Sequence, residues 1–200
     1  MKRAFDIAFS LAAIAVLLVP SIALCVAIRV ESPGFPIYSQ KRVGRIGRGG
    51  EVRTFDMYKF RSMSADADER LADLAELNEA DGPLFKIKDD PRVTRIGKFI
   101  RKHSIDELPQ FLNCLMGQLS CVGPRPPLPS EVAQYDGRAM RRLSVKPGLT
   151  GYWQVSGRSD TTFDDMVDLD LAYIEERSFL VDLRVIAKTA VTMLDGKGAC

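Results

Sequence analysis

The sequence predicts a mostly helical α+β protein in two parts: a re-entrant membrane helix broken at Pro20, over residues 1–30, and a small cytosolic α/β domain with a short sheet, over 31–200. Three observations carry this reading. An uncharged run of 22 residues extends from Ile7 to Ile28. Strand-like alternation over Thr54 to Met63 stands among segments of helical period. Charge is also divided along the chain: residues 1–62 hold ten Lys or Arg against four Asp or Glu, and the remainder eighteen against twenty-two. The basic end is therefore the apolar end, and 200 residues suffice for one domain with a real core.

A straight helix over the apolar run would reach about 33 Å, enough for a bilayer core of about 30 Å. Pro20-Ser21 interrupts the run, however, where proline removes a helix bond. Lys2 and Arg3 precede it, and Arg29, Lys41, Arg42, Arg45 and Arg48 follow, so the positive-inside rule wants both ends in the cytoplasm. A broken helix that enters and leaves by one face satisfies both constraints. A cleaved signal peptide would need a small-residue site at the exit, which is missing, and few soluble helices are apolar all round for this length.

Gly44-Arg45-Ile46-Gly47-Arg48-Gly49-Gly50 lacks the lysine and following helix of a phosphate loop and reads as a turn, its cations free to meet anionic lipid. In the Thr54–Met63 strand, alternation puts Lys59 and Arg61 on one face, either a phosphate contact or a solvated edge. Ala65 to Ala80 reads as an acidic helix with Leu71, Leu74 and Leu77 at every third place. Asp81-Gly82-Pro83 ends it, Leu84-Phe85-Lys86-Ile87-Lys88 alternates briefly, and Thr94 to Lys102 forms a helix that delivers Arg101.

The densest chemistry is Arg101-Lys102-His103-Ser104-Ile105-Asp106-Glu107-Leu108-Pro109-Gln110, followed by Val122-Gly123-Pro124-Arg125-Pro126. Ser104-x-x-Glu107 has the form of a capping box, and Pro109 suits a helix that starts here. A carboxylate fixed at such a terminus is also kept ionised by the helix dipole, so Asp106 has the makings of a nucleophile. The Pro124-Arg125-Pro126 turn is either a polyproline ligand or a fixed anion anchor.

Further on, Gly148 and Gly151 permit turns, and Trp153 is assigned to packing. Asp168-Leu169-Asp170 has the D-x-D spacing of aspartyl-phosphate phosphatases but lies in a helical pattern, which favours surface carboxylates pairing with Arg177 or Arg184. Phe179 to Leu194 is an amphipathic helix, in the membrane interface or on the core. Cys25, Cys114, Cys121 and Cys200 form no C-x-x-C pair and the chain has one histidine, so neither a zinc site nor a disulfide framework is indicated. A net charge of +2 gives no ground to expect a nucleic-acid partner.

Tyr58-Lys59-Phe60-Arg61-Ser62-Met63, Arg101 with Ser104 to Gln110, Gly123-Pro124-Arg125-Pro126, Lys146-Pro147-Gly148-Leu149-Thr150-Gly151 and Gln154-Val155-Ser156-Gly157-Arg158 occur in this order. The set resembles the bacterial sugar transferase family, the monotopic polyprenyl-phosphate phosphoglycosyl transferases. The resemblance covers almost the whole chain and implies a re-entrant helix broken at Pro20-Ser21, with the site on the cytoplasmic face of the bacterial inner membrane. It implies transfer of a sugar 1-phosphate from a UDP-sugar to undecaprenyl phosphate, releasing UMP, as the first membrane step of exopolysaccharide, capsule or O-antigen synthesis. It further implies Asp106 as nucleophile, Glu107 as its assistant, and Mg²⁺ held at Asp106. Lys59, Arg101, Arg125 and Arg158 are the candidates for screening the pyrophosphate, because a carboxylate attacking it is otherwise repelled. Asp170 and Asp182 match recurrent acidic positions of the family, which opens a metal or substrate role.

Met116-Gly117-Gln118 departs from the family's Lys-Gly-Asp. Many relatives carry further transmembrane helices before the catalytic part, so the chain is expected to be a small form or a fragment, and a homodimer is left open. Gly82 to Thr94 resembles the segment of members that use glucose or galactose 1-phosphate. The rival from another class is a non-catalytic membrane-binding module with its basic surface at 29–61.

Overall fold

The computed structural model describes residues 1–47, 49–79, 82–84, 87, 89–156 and 162–195. Its first helix, α1, runs from Lys2 to Glu31. Helical backbone continues through Pro20-Ser21, so the expected break is not an interruption of the helix. A proline costs one hydrogen bond, and the bonded turns on either side carry the helix past it.

Both ends of α1 are tied to the same folded body. At the N-terminal end, Lys2 Nζ donates to the Val122 carbonyl, Tyr173 Oη and the Asp182 carboxylate, and Asp6 accepts from Ser120 Oγ and the Cys121 N–H. At the C-terminal end, Leu24, Cys25 and Ile28 pack against Phe60, Ile100, Ile105 and Leu108. The Glu31 carboxylate there accepts the backbone N–H groups of Arg95 and Ile96 at 2.8 and 3.0 Å. Between these anchors Leu11, Val16, Leu18, Val19 and Ile22 are more than half exposed.

β1 (Ile37–Val43) and β2 (Thr54–Phe60) form an antiparallel pair in which Tyr38 faces Lys59, Gln40 faces Met57 and Arg42 faces Phe55. The expected strand thus ends at Phe60, short of Met63, and Arg61 turns away to donate to the carbonyls of Ser32 and Pro33. That leaves Lys59 as the cation of the expected pair facing the site. The glycine-rich segment is a turn, as its composition required, with the Gly49 N–H taken by Glu51. Glu69–Leu77 is a 3₁₀-helix where an α-helix was expected. Its three-residue leucine spacing matches three residues per turn. Of the short alternating segment that follows, Phe85, Lys86 and Lys88 lie outside the described residues.

α2 (Arg95–Lys102) is capped by Thr94 and lies so close to the strand end that a Cβ on Gly97 would sit 1.9 Å from the Ser62 carbonyl oxygen. α3 (Gln110–Met116) leads to β3 (Ser120–Val122), which pairs in parallel with β4 (Gly148–Thr150), so the short sheet is two separate strand pairs. Between them come α4 (Pro129–Val132) and α5 (Gly137–Met140). After β4 follow α6 (Tyr152–Val155), α7 (Phe163–Glu176) and α8 (Phe179–Asp195). α8 packs Val185 into a core with Cys121, Val122, Val155 and Tyr173, while Leu180 and Val191 stay exposed.

Asp170 and Asp182 are buried instead of lying on helix surfaces, and neither pairs with Arg177 or Arg184. Asp182 is taken by Lys2 and Tyr173, and Asp170 by Arg142, whose side chain is 1% exposed. Breaking such a pair leaves an uncompensated buried charge. Asp170→Asn is therefore expected to destabilise the fold by about 3–5 kcal/mol in denaturant titrations. Arg142→Met combined with Asp170→Leu should recover at least half of that loss, and a neutral Asp170→Asn would show the pair to be dispensable.

Candidate active site

The site is assembled where α2, β2 and the turn after α2 converge. α2 ends at Lys102 and the chain reverses at Ser104, which adopts φ 53° and ψ 24°, a left-handed conformation unfavourable for a residue with a Cβ. A single 3₁₀ turn, Ile105–Glu107, follows. Ile105 and Leu108 are pinned in the cluster of Ile28, Phe60 and Ile100, which leaves Asp106 and Glu107 to meet β2.

The expected capping box does not form. Ser104 makes no side-chain cap bond, because its left-handed backbone is not that of an N-cap, and Glu107 is committed elsewhere. Lys59 Nζ lies 2.9 Å from Glu107 Oε1 and 3.5 Å from Asp106 Oδ2, so one ammonium bridges both carboxylates. Helix α3 begins after Pro109 as the proline indicated.

Burial raises the pKa of Asp106, and the Glu107 charge adds to this, while Lys59 and Arg101 oppose it. For Lys59, burial alone would lower the pKa, but the fields of Glu107 and Asp106 outweigh it and the ammonium is held above its ordinary value. The result is a nearly dry carboxylate beside a cation that stays charged.

β2 is held in place by Asn113, wholly buried on α3, which accepts the Tyr58 N–H and donates to the Asp56 carbonyl. Gln118, at the departure from the family pattern, orients that asparagine by accepting from its amide at 2.7 Å. Arg101 is half-buried on the last turn of α2, close enough to act on Asp106 through its field. Arg125 is bound to Glu131 at 3.0 Å, and its guanidinium lies 5.8 Å over the Trp153 ring. The tryptophan therefore packs on the Arg125 guanidinium. Arg158 lies outside the described residues.

Reading by motif missed Arg42, Gln40 and Glu131, although period-two alternation along β1 would have placed Tyr38, Gln40 and Arg42 on one face. Arg42 is buried and donates to Gln40 and to the Pro126 carbonyl. No group of three or more His, Cys, Asp or Glu is poised for a metal among the described residues. Asp106 and Glu107 supply two carboxylates, the number with which Mg²⁺ is commonly held beside substrate phosphates and water, and in this structure both face the Lys59 ammonium.

The profile described as "Bacterial sugar transferase" matches residues 1–196. The chain belongs to the bacterial sugar transferase family. It is 48% identical over 200 residues to the galactosyl transferase CpsE of Streptococcus agalactiae serotype III, covering 99% of this chain and 43% of that protein. It is 40% identical over 209 residues to the undecaprenyl-phosphate galactose phosphotransferase of Salmonella typhimurium, covering 100% and 41%. A UDP-N-acetylgalactosamine-undecaprenyl-phosphate N-acetylgalactosaminephosphotransferase of Aeromonas hydrophila is 38% identical over 205 residues, with 100% and 45% covered. The chain thus spans less than half the length of these relatives.

The left-handed Ser104 is a direct test of how the carboxylates are presented. Ser104→Gly should keep or slightly raise stability, whereas Ser104→Val should cost about 1–3 kcal/mol in the same titration. Equal stability of the two variants would remove strain from the account of this turn.

Proposed function

We propose that this protein transfers a sugar 1-phosphate from a UDP-sugar to undecaprenyl phosphate through a covalent intermediate on Asp106. The observation that carries this reading is the Lys59 ammonium shared by a buried Asp106 and a partly exposed Glu107. An Asp106 oxygen attacks the sugar-bearing phosphorus, the bond from that phosphorus to the bridging oxygen breaks, and UMP departs with the electron pair. An oxygen of undecaprenyl phosphate then attacks the same phosphorus, and the carboxylate leaves. Lys59 favours the Asp106 carboxylate against the burial that raises its pKa, and a poorly solvated carboxylate beside a fixed cation is an effective nucleophile. Glu107 keeps Lys59 in place, and Arg101, Arg125 and Arg158 screen the phosphate charge. Asp106 and Glu107 are the residues that would hold Mg²⁺, which supplies further neutralisation of the pyrophosphate.

The site belongs on the cytoplasmic face of the inner membrane. Leaving Leu11, Val16, Leu18, Val19, Ile22 and Val26 more than half exposed to water forgoes about 1–2 kcal/mol each, a total comparable to the roughly 5–15 kcal/mol that holds a whole domain together. Lipid removes that penalty. Both ends of α1 are bound to one body, which supports a helix that dips into the membrane and returns. Phe99, Leu112, Met116 and Leu180 are exposed on helices adjoining α1, as expected of a body resting on the bilayer. We further assign a hexose donor, glucose or galactose, from the 82–94 segment, in keeping with the two galactose-named relatives.

The test is UMP release from a panel of UDP-sugars by the purified protein with undecaprenyl phosphate. Asp106→Asn should reduce release below about a thousandth and abolish the phosphosugar adduct seen by mass spectrometry, because the amide cannot form the acyl phosphate. EDTA should abolish turnover. Preference for an N-acetylated donor would overturn the hexose assignment alone, whereas no release from any donor would leave the membrane-binding module.

Topology is tested separately. Single cysteines placed at Lys2 and just after Arg29, in a background free of the native ones, should both resist a membrane-impermeant maleimide added from the periplasm. Labelling of either would show a true span.

A further inference from the structure

The β1–β2 register puts Arg42 on the sheet face that carries Lys59, with Gln40 and Met57 between them. Arg42 is only 8% exposed, and among the described residues its hydrogen bonds go to neutral acceptors. Nη1 donates to the Pro126 carbonyl at 3.1 Å and Nη2 to Gln40 Oε1 at 2.6 Å, while Nε is shut off from solvent with no partner. The neighbouring cations are treated differently. Lys59 has Asp106 and Glu107, Arg125 has Glu131, and Arg142 has Asp170.

A buried cation with no bonded carboxylate is costly unless an anion completes it. Here the cost shows: burial draws the Arg42 pKa down to about 9, the Arg125 charge adds to the effect, and Glu131 and Glu107 only partly oppose it. Nor is Arg42 loosely placed. Its Nη1 grips the carbonyl next to Arg125, and the Val43 N–H grips that of Pro127, so the strand and the proline turn hold the two arginines side by side.

We propose that Arg42 is a phosphate-binding residue of this active site, its guanidinium held beside Arg125 to receive a phosphate group of a substrate. The proposal rests on the reaction given above and adds a residue to it. A guanidinium suits the task because its donors are fixed in a plane, whereas a lysine offers a single point charge. The phosphate is either the nucleotide phosphate of the donor, which departs in UMP, or that of the polyprenyl acceptor. The two half-reactions separate these sources.

In the first arm, protein in detergent is mixed with UDP-sugar and Mg²⁺ but no acceptor, and the burst of UMP is timed against donor concentration. In the second, the isolated adduct is discharged by undecaprenyl phosphate. Arg42→Met should lower kcat/KM of at least one arm by about 100-fold, and Arg42→Lys should return about tenfold of the loss. The unfolding temperature should stay within about 3 °C. Arg141→Met, which removes an exposed cation given no part in the site, should leave both arms unchanged.

Loss in the first arm alone assigns the donor phosphate, loss in the second alone the acceptor phosphate, and equal loss a position that both occupy. Both arms within about threefold of wild type overturn the proposal, as does a loss that Arg42→Lys does not relieve and a lowered unfolding temperature accompanies. If Arg42→Met does not fold, Arg42→Gln, which keeps a donor for Pro126 without the charge, is read by the same limits. A wild type that releases no UMP overturns the reaction itself, which is a different failure from an active wild type matched by its Arg42 variants.

Discussion

One ammonium between two carboxylates sets the terms for the rest of this structure. Lys59 can bridge Asp106 and Glu107 only if a strand end and a reversed turn, some fifty residues apart in sequence, meet at hydrogen-bond distance. The strand is fixed by Asn113 and the turn by Ile105 and Leu108 in an apolar cluster that includes the end of α1. Helix α1 is thus part of the support of the site. Its last residue, Glu31, also caps the helix that carries Arg101.

Away from the dyad, buried charge continues as a connected series. Arg42 reaches the Pro124–Pro127 turn, Arg125 reaches Glu131 on α4, and Arg142 joins Tyr135, the Arg125 carbonyl and Asp170 on α7. Each such group is expensive to bury and poorly tolerant of losing a partner. The arrangement gives up some stability for a fixed placement of cations. It also explains why so polar an interior accompanies a domain with small, separate apolar clusters.

Much of this was legible in the sequence where the signal is local. The apolar run gave α1, the Thr94–Lys102 stretch gave α2, and amphipathic spacing gave α8, because each depends on neighbours within a few residues. Lys59, Asp106 and Glu107 were identified and the fold brings them together. What escaped depends on distant partners or on backbone conformation. Ser104 looked like a cap since its spacing to Glu107 is that of a capping box, but Lys59 claims the glutamate from 48 residues away. Asp170 looked like a surface carboxylate because Arg142, 28 residues earlier, could not be assigned to it without the fold. Arg42 read as one more juxtamembrane cation, and only strand pairing shows that it points inward.

The clasp at the N-terminal end of α1 also bears on how the protein is made. Lys2 closes on Asp182, 180 residues later, and Asp6 on Ser120, 114 residues later. At about 5–20 residues per second, the helix waits on the order of ten seconds or more after leaving the ribosome before Asp182 exists. During that interval its apolar surface lacks the partners that later hold its N-terminal end. Closure of this clasp therefore comes last, and the order of translation decides what the helix meets first.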